Sequence, residues 1–130
     1  MSKLIIYTDG GARGNPGPAG IGVHIVGHSD YAEYIGEATN NQAEYKAVVL
    51  ALEKAKAIKA SELSFFLDSE LVVKQLNQEY KIKDKELAKI FVKIWNLRLN
   101  FKKVTFSHVP REKNKQADKL VNQAIDEAIK

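Results

Sequence analysis

Four acids in this 130-residue chain stand where an acid is hard to place. Asp9 closes the apolar run "KLIIYT", and Asp68 closes "ELSFFL". Glu44 is followed by Ala47, Val48, Ala51 and Leu52, and Asp118 by Val121, Ile125 and Ala128. At helical spacing each of these two acids lies on or beside an apolar face. An acid on an inward face is unfavourable unless it is paired or bound to a cation. A single strand-ending aspartate can be a turn or cap residue, and a glutamate near a helix start can simply answer the dipole. Two strand ends and two helix starts meeting at one spot would do more. Four carboxylates repel, and some stay protonated unless a cation neutralises them. Oxygen donors with no cysteine suit hard divalent ions such as Mg²⁺ or Mn²⁺. Two such ions can clamp the attacking and leaving oxygens of a phosphodiester displacement.

The elements that must position these acids follow from periodicity. Residues 3–8 and 62–67 are apolar on both faces, as central strands would be. Residues 20–27 and 30–38 alternate and are separated by "HS", short enough for a hairpin. Helices are expected over 40–60, 69–77, 84–100 and 114–130, and a last strand over 103–109. Strands joined through helices run parallel. Strands 3–8, 62–67 and 103–109 should therefore be parallel, with the hairpin as an antiparallel edge of a five-stranded mixed α/β sheet. Ligand sites in such sheets form at the carboxyl ends of strands, which is where Asp9 and Asp68 fall.

The bulk numbers fit one domain spanning 1–130 with a real core, since 45% of residues are hydrophobic and 28% charged. No cysteine is present, which excludes disulfides, thiol catalysis and Cys-based zinc sites. No apolar window is long enough for a transmembrane helix, and the N-terminus reads as a strand rather than a signal peptide. The expectation is a cytoplasmic protein with no membrane partner, acting as a monomer. The net charge of +4 is uneven: residues 1–65 carry six Lys/Arg against seven Asp/Glu, and residues 66–130 carry fourteen against nine. A basic second half is what a polyanionic partner would favour, although it also suits a solvated lysine surface.

Around the acids lie groups suited to a sugar–phosphate backbone. "GGARGNPG" (10–17) offers backbone amides and Asn15, and "TNNQ" (39–42) sets Thr39, Asn40 and Asn41 at a helix N-terminus. Thr39 with Gln42 also fits a capping box, and Gly-Asn-Pro-Gly is also a plain turn. The glycine loop lacks Gly-Lys-Ser/Thr and is not a P-loop.

The stretches "YTDGGARGNPGPAG", "TNNQAEY", "FFLDSELVV" and "HVPREKNKQADKLVNQA" together resemble the successive active-site motifs of ribonuclease H, type I. The resemblance runs from Tyr7 to about residue 125. It implies a five-stranded sheet of order 3-2-1-4-5 and cleavage of the RNA strand of an RNA–DNA hybrid duplex, leaving 5′-phosphate and 3′-hydroxyl ends. It implies two Mg²⁺ ions, or Mn²⁺, on Asp9, Glu44, Asp68 and Asp118. Asp9 would bridge both ions, Asp68 and Glu44 would complete one site, and Asp118 the other. Glu44 would also accept from a ribose 2′-hydroxyl, helping to tell RNA from DNA. Asn15 and Thr39 match contacts to phosphates of the DNA strand. Asn40 and Asn41, with the backbone of Gly10, Gly11 and Ala12, match contacts along the minor groove.

Three departures from the family pattern bear on function. Many members carry a histidine on a loop before the last acid; an ungapped count gives His108, whereas strand periodicity through "VTFSHV" favours Arg111. A substrate-contacting residue after the third acid, often Gln, is Glu70 here. A basic protrusion rich in Trp and Lys is reduced to Lys81, Lys83 and Lys85, with Lys89 and Lys93 nearby. The competing expectations are a DNA-acting metal-dependent nuclease of the same fold and a nucleic-acid-binding module without catalysis.

Overall fold

A computed structural model of the chain describes residues 2–130. In chain order the elements are β1 (Lys3–Ala12), β2 (Gly17–Ile25), β3 (Ser29–Ala38), α1 (Asn40–Ile58), β4 (Glu62–Leu67), α2 (Glu70–Leu76), α3 (Lys85–Arg98), β5 (Lys103–His108) and α4 (Lys115–Ala128). A short 3₁₀ turn, Arg111–Lys113, precedes α4. The sheet order is β3-β2-β1-β4-β5, with β1, β4 and β5 parallel and β2 and β3 antiparallel. This is the expected topology, and the α/β class stands.

Local chemistry sets the helix starts. Thr39 and Gln42 form the capping box of α1, each side chain bonded to the other's backbone N–H. Ser69 caps α2 and Asp84 caps α3. The β2–β3 turn is Val26–His28, with Gly27 at φ 76°. That is a three-residue hairpin rather than a two-residue one, with glycine in the left-handed position.

Two expectations about β1 need correction. First, the strand does not stop at Asp9. Its parallel ladder with β4 ends at Tyr7–Phe66, but its antiparallel ladder with β2 continues from Asp9–Gly22 to Ala12–Ala19. The glycines at 10, 11, 20 and 22 lie inside this ladder, not in a loose turn. The connection to β2 is only the four residues 13–16, which include a cis Asn15–Pro16 bond. Second, β1 is not buried on both faces. Leu4, Ile6, Thr8 and Gly10 are buried on the α1 side, while Ile5 remains 46% exposed on the other. The reason is unequal cover. α1 packs on β1 and β2, with α3 against α1, whereas α4 covers β1, β2 and β3. Over the rest of that face Tyr7 stacks on Phe66 at 5.3 Å and leans on His24 at 6.1 Å.

The side chains of α3 follow the expected stripe. Leu87 and Ile94 are buried, and Ile90, Phe91 and Leu97 pack partly against the core. Trp95 is half-buried, stacked on Phe91 and capped by the Arg98 guanidinium at 3.8 Å.

Candidate active site

The overhang of β1 past β4 is what builds the site. Asp9 stands two residues beyond the last parallel pair, and Asp68 is the first residue after β4. Paired with Gly22, Asp9 faces the α4 side of the sheet. Glu44 comes from the second turn of α1, which reaches this end because Gly10 has no side chain. A Cβ built there would lie 2.2 Å from the Ala43 carbonyl carbon. α4 is seated in the same way, with Gly22 beneath the Ala117 carbonyl and Gly20 beneath Val121. The glycines thus bring helices close to the sheet. They do not leave backbone amides free, since the Gly10 N–H donates to Asp9 Oδ1 at 3.0 Å and the Ala12 N–H to Asn40 Oδ1 at 2.8 Å.

Asp9, Glu44 and Asp68 each bring a carboxylate oxygen within 4.8 Å of the others. Asp118 does not belong to this tight group, and it is exposed rather than inward-facing. It lines the same cleft, and its charge is among those that raise the pKa of Asp9. The expectation of four acids packed together is therefore corrected to three close acids and one at the wall. The physical reason is that α4 is seated on Gly20 and Gly22 by Ala117, Leu120 and Val121, which leaves Asp118 on the exposed cleft wall rather than beneath the helix.

The electrostatics show the strain of this grouping. Asp9 is 8% exposed and its pKa is pushed up to about 7, first by burial, then by the Asp68 charge, with Asp118 adding to it. Hydrogen bonds from Glu44 and from the Gly10 N–H oppose the rise. Glu44, 7% exposed, is held well above the ordinary carboxyl range, again first by burial and then by Asp9. Its Oε2 is buried with no protein partner among the described residues. Such a group calls for a proton or a cation. The donor set is oxygen only, as Mg²⁺ and Mn²⁺ prefer.

The cleft has a volume of about 410 Å³. Besides the four acids its lining includes Gly10, Gly11, Ala12, Arg13, Asn40, Asn41 and Arg111. Asn15, Thr39 and Glu70 are not on its wall. Asn15 Oδ1 accepts from the Asn40 N–H at 3.0 Å, fastening the β1–β2 connection to α1. With the oxygens of Asn15 and Asn40 thus engaged by backbone N–H groups, what these amides can offer a ligand is their NH₂ donors. Thr39 is occupied by its cap. Glu70 is exposed and ion-pairs with Lys74 at 3.6 Å. His108 ends β5 paired with Leu67 and is not on the cleft wall, whereas Arg111 is.

Sequence reasoning missed Asn114 and Arg13. Asn114 is 1% exposed and donates to both the Thr8 carbonyl and Asp68 Oδ2 at 2.9 Å. Its position four before Asp118, at a helix start, was a signal; it reads equally as an ordinary N-cap. Arg13 is held at the cleft mouth by Asp126 at 2.6 Å and Asn122 at 3.3 Å, partners no local pattern links.

A mixed sheet carrying a tight, largely buried group of carboxylates at the end of its two central strands defines a ribonuclease H-like domain with an acidic centre. The family described as reverse transcriptase-like matches residues 7–124. A bifunctional protein of Mycobacterium tuberculosis is 40% identical over 97% of this chain, which spans only 36% of that protein's length. A ribonuclease H of Pseudomonas entomophila is 37% identical, with 94% of this chain and 93% of that one covered. Among solved structures, LC11-RNase H1 in complex with an RNA/DNA hybrid is 46% identical with a TM-score of 0.93, covering 98% of this chain and 99% of that one. The chain belongs to the ribonuclease H family, type I.

Proposed function

We propose that this chain is an endoribonuclease that hydrolyses the RNA strand of RNA–DNA hybrids, using two divalent cations and leaving 5′-phosphate and 3′-hydroxyl ends. The observation that carries this is the convergence of Asp9, Glu44 and Asp68 within 4.8 Å at the end of the central strands, Asp9 and Glu44 buried and Asp68 half-buried, with no cationic side chain paired to them among the described residues. Membership of the ribonuclease H family and likeness to a relative bound to a hybrid support the substrate class.

Asp9, Glu44 and Asp68 would hold one Mg²⁺ or Mn²⁺, and Asp9 with Asp118 the second. Bound there, such ions lower the pKa of an attacking water and stabilise the leaving 3′-oxygen. The chain's own groups position the duplex. Glu44 would also accept from a ribose 2′-hydroxyl, helping to tell RNA from DNA. Asn41, Gly11 and Ala12 line the cleft and would contact the minor groove of the duplex. The amide nitrogens of Asn15 and Asn40 can donate to backbone or base-edge oxygens, and Thr39 holds the α1 start in place beside them. Gly10, buried with its N–H turned to Asp9, acts as a spacer rather than a contact. Arg111, on the cleft wall, would assist turnover in place of a loop histidine. Glu70 stands apart and contributes at most to the periphery. The chain would act as a monomer in the cytoplasm; no helix among the described residues is long and apolar enough to cross a membrane.

A panel of labelled RNA–DNA hybrid, duplex DNA and duplex RNA, with and without Mg²⁺ and with product ends mapped, tests this. Metal-dependent cutting of only the RNA strand of the hybrid is expected. Cutting of duplex DNA would favour a nuclease of another specificity, and metal-independent binding without cleavage would favour a non-catalytic module.

A further inference from the structure

Asn114 places a polar side chain in the interior at the junction of three acid-bearing elements. Its Nδ2 donates to the Thr8 carbonyl, in the peptide that precedes Asp9, and to Oδ2 of Asp68, both at 2.9 Å. Neither partner can donate in return, so the amide orientation follows from chemistry: reversed, its oxygen would face two oxygens. The Asn114 carbonyl accepts from the Asp118 N–H at 3.1 Å, at the first turn of α4. One residue therefore touches the β1 peptide, the β4 carboxylate and the helix of the fourth acid.

Two further observations separate this from ordinary capping. Asparagine at a helix start normally accepts from a first-turn N–H, yet this side chain makes no such bond. Its Oδ1 is buried without a protein partner among the described residues. A buried amide that caps nothing and leaves its oxygen unpaired is poorly explained by packing alone. What it does accomplish is to fix the Asp68 carboxylate relative to Asp9 and to α4.

We propose that Asn114 is a positioning residue for the acidic centre, its amide tying Asp68 and the Asp9 peptide to the start of α4 so that cations meet a preset group of oxygens. The proposal rests on the divalent-cation reading of the site. Groups that hydrogen-bond to metal ligands orient them, and their loss typically lowers metal affinity tenfold to a hundredfold. Asn114 itself touches neither substrate nor cation.

The test is Mn²⁺ binding to the substrate-free protein by electron paramagnetic resonance, beside melting curves and hybrid-cleavage kinetics. Asn114→Ala is expected to weaken Mn²⁺ binding about tenfold or more and to lower kcat while KM for the hybrid stays unchanged. Asn114→Ser keeps a helix-capping residue but reaches at most one of the two acceptors, and should lose affinity to a lesser degree, about fivefold. Ile25→Ala, a core truncation further along the sheet, should lower the melting temperature without moving Mn²⁺ affinity. Wild-type Mn²⁺ affinity in both Asn114 variants would overturn the proposal and leave Asn114 as a purely structural residue. Absence of Mn²⁺ binding in the unaltered protein at millimolar concentration would overturn the metal reading, and this proposal with it.

Discussion

Gly10 lies directly under Ala43: a methyl group added at Gly10 would sit 2.2 Å from one backbone carbon and 2.3 Å from its oxygen. Backbone cannot swing aside as a side-chain tip can. Gly10→Ala must therefore push the start of α1 off the sheet, and Glu44 moves with it. Overpacking of this kind costs about 1–3 kcal/mol, and urea unfolding should show a loss at the upper end of that range. Gly11→Ala is the matched control. Its added carbon meets only Val121 Cγ1, at 3.7 Å, so its stability should stay within about 1 kcal/mol of the parent.

Metal-free stability should fall as pH rises. The folded-state pKa of Asp9, about 7, exceeds its ordinary value of 3.8. The folded protein thus keeps a proton that the unfolded chain releases. That stabilisation is full below about pH 4 and is lost as pH climbs through 7, amounting to something on the order of 4 kcal/mol. Glu44 shifts in the same direction. Thermal melts from pH 5 to 8 in chelator should show the decline, and millimolar Mg²⁺ should reverse it by binding the ionised acids. A flat profile in chelator would contradict the assignment of Asp9 and Glu44 as mutually repelling, buried groups.

Asp9→Asn should separate stability from chemistry. It removes one of the crowded charges, so the metal-free protein should melt higher at pH 8. Hybrid cleavage should drop by orders of magnitude, because Asp9 is the one acid expected in both cation sites. Retained cleavage at the parental rate would end the two-cation proposal.

Arg111 and His108 can be told apart directly. Arg111 lines the cleft and His108 does not. Arg111→Ala should slow turnover by about a hundredfold if its cation faces developing charge, with hybrid affinity little changed. His108→Ala should leave the rate near that of the parent. The opposite pattern in single-turnover kinetics would return the role to the histidine.

Hybrid affinity should depend steeply on salt. Lys81, Lys83, Lys85, Lys89 and Lys93 are all exposed, on the α2–α3 connection and α3. Each lysine that meets a phosphate adds about 0.9 to the slope of log K against log salt. Fluorescence titrations of a Lys85→Gln, Lys89→Gln double variant should show a slope shallower by roughly 2. An unchanged slope would mean these cations never meet the backbone.

The strands and helices were legible because they rest on local periodicity, the sheet order because four motifs resemble one family, and the meeting of Asp9, Glu44 and Asp68 because each is an acid at a strand end or on an apolar helix face. Three things were not. The continuation of β1 through Gly10–Ala12 was hidden because glycine weakens a strand pattern, and only the partner β2 shows that the ladder persists. The half-open sheet face was hidden because Ile5 and Tyr7 look as apolar as buried residues; their exposure depends on how far α4 extends. Asn114 was hidden because its partners, Thr8 and Asp68, are 106 and 46 residues away. Contacts of that range leave no trace in a window of neighbouring residues. Asp118 lines the cleft but is exposed and outside the tight group, since amphipathic spacing tells which residues sit near an apolar stripe and not which side of its border they occupy.

The unequal length of β1's two ladders has one more implication. Between Tyr7 and Asp9 only the β2 side fixes alternation, so a single inserted residue there would carry the carboxylate through the sheet plane to the side of Thr8 and Ala43. The hairpin could absorb such a slip in its surface connection while the hydrophobic interior before Tyr7 stayed as it is. Chemistry in this molecule is thus encoded as parity along one strand, and one inserted codon would cost both the carboxylate's place and the seat of α1, because the aspartate would then stand where an added carbon meets the Ala43 backbone at 2.2 Å.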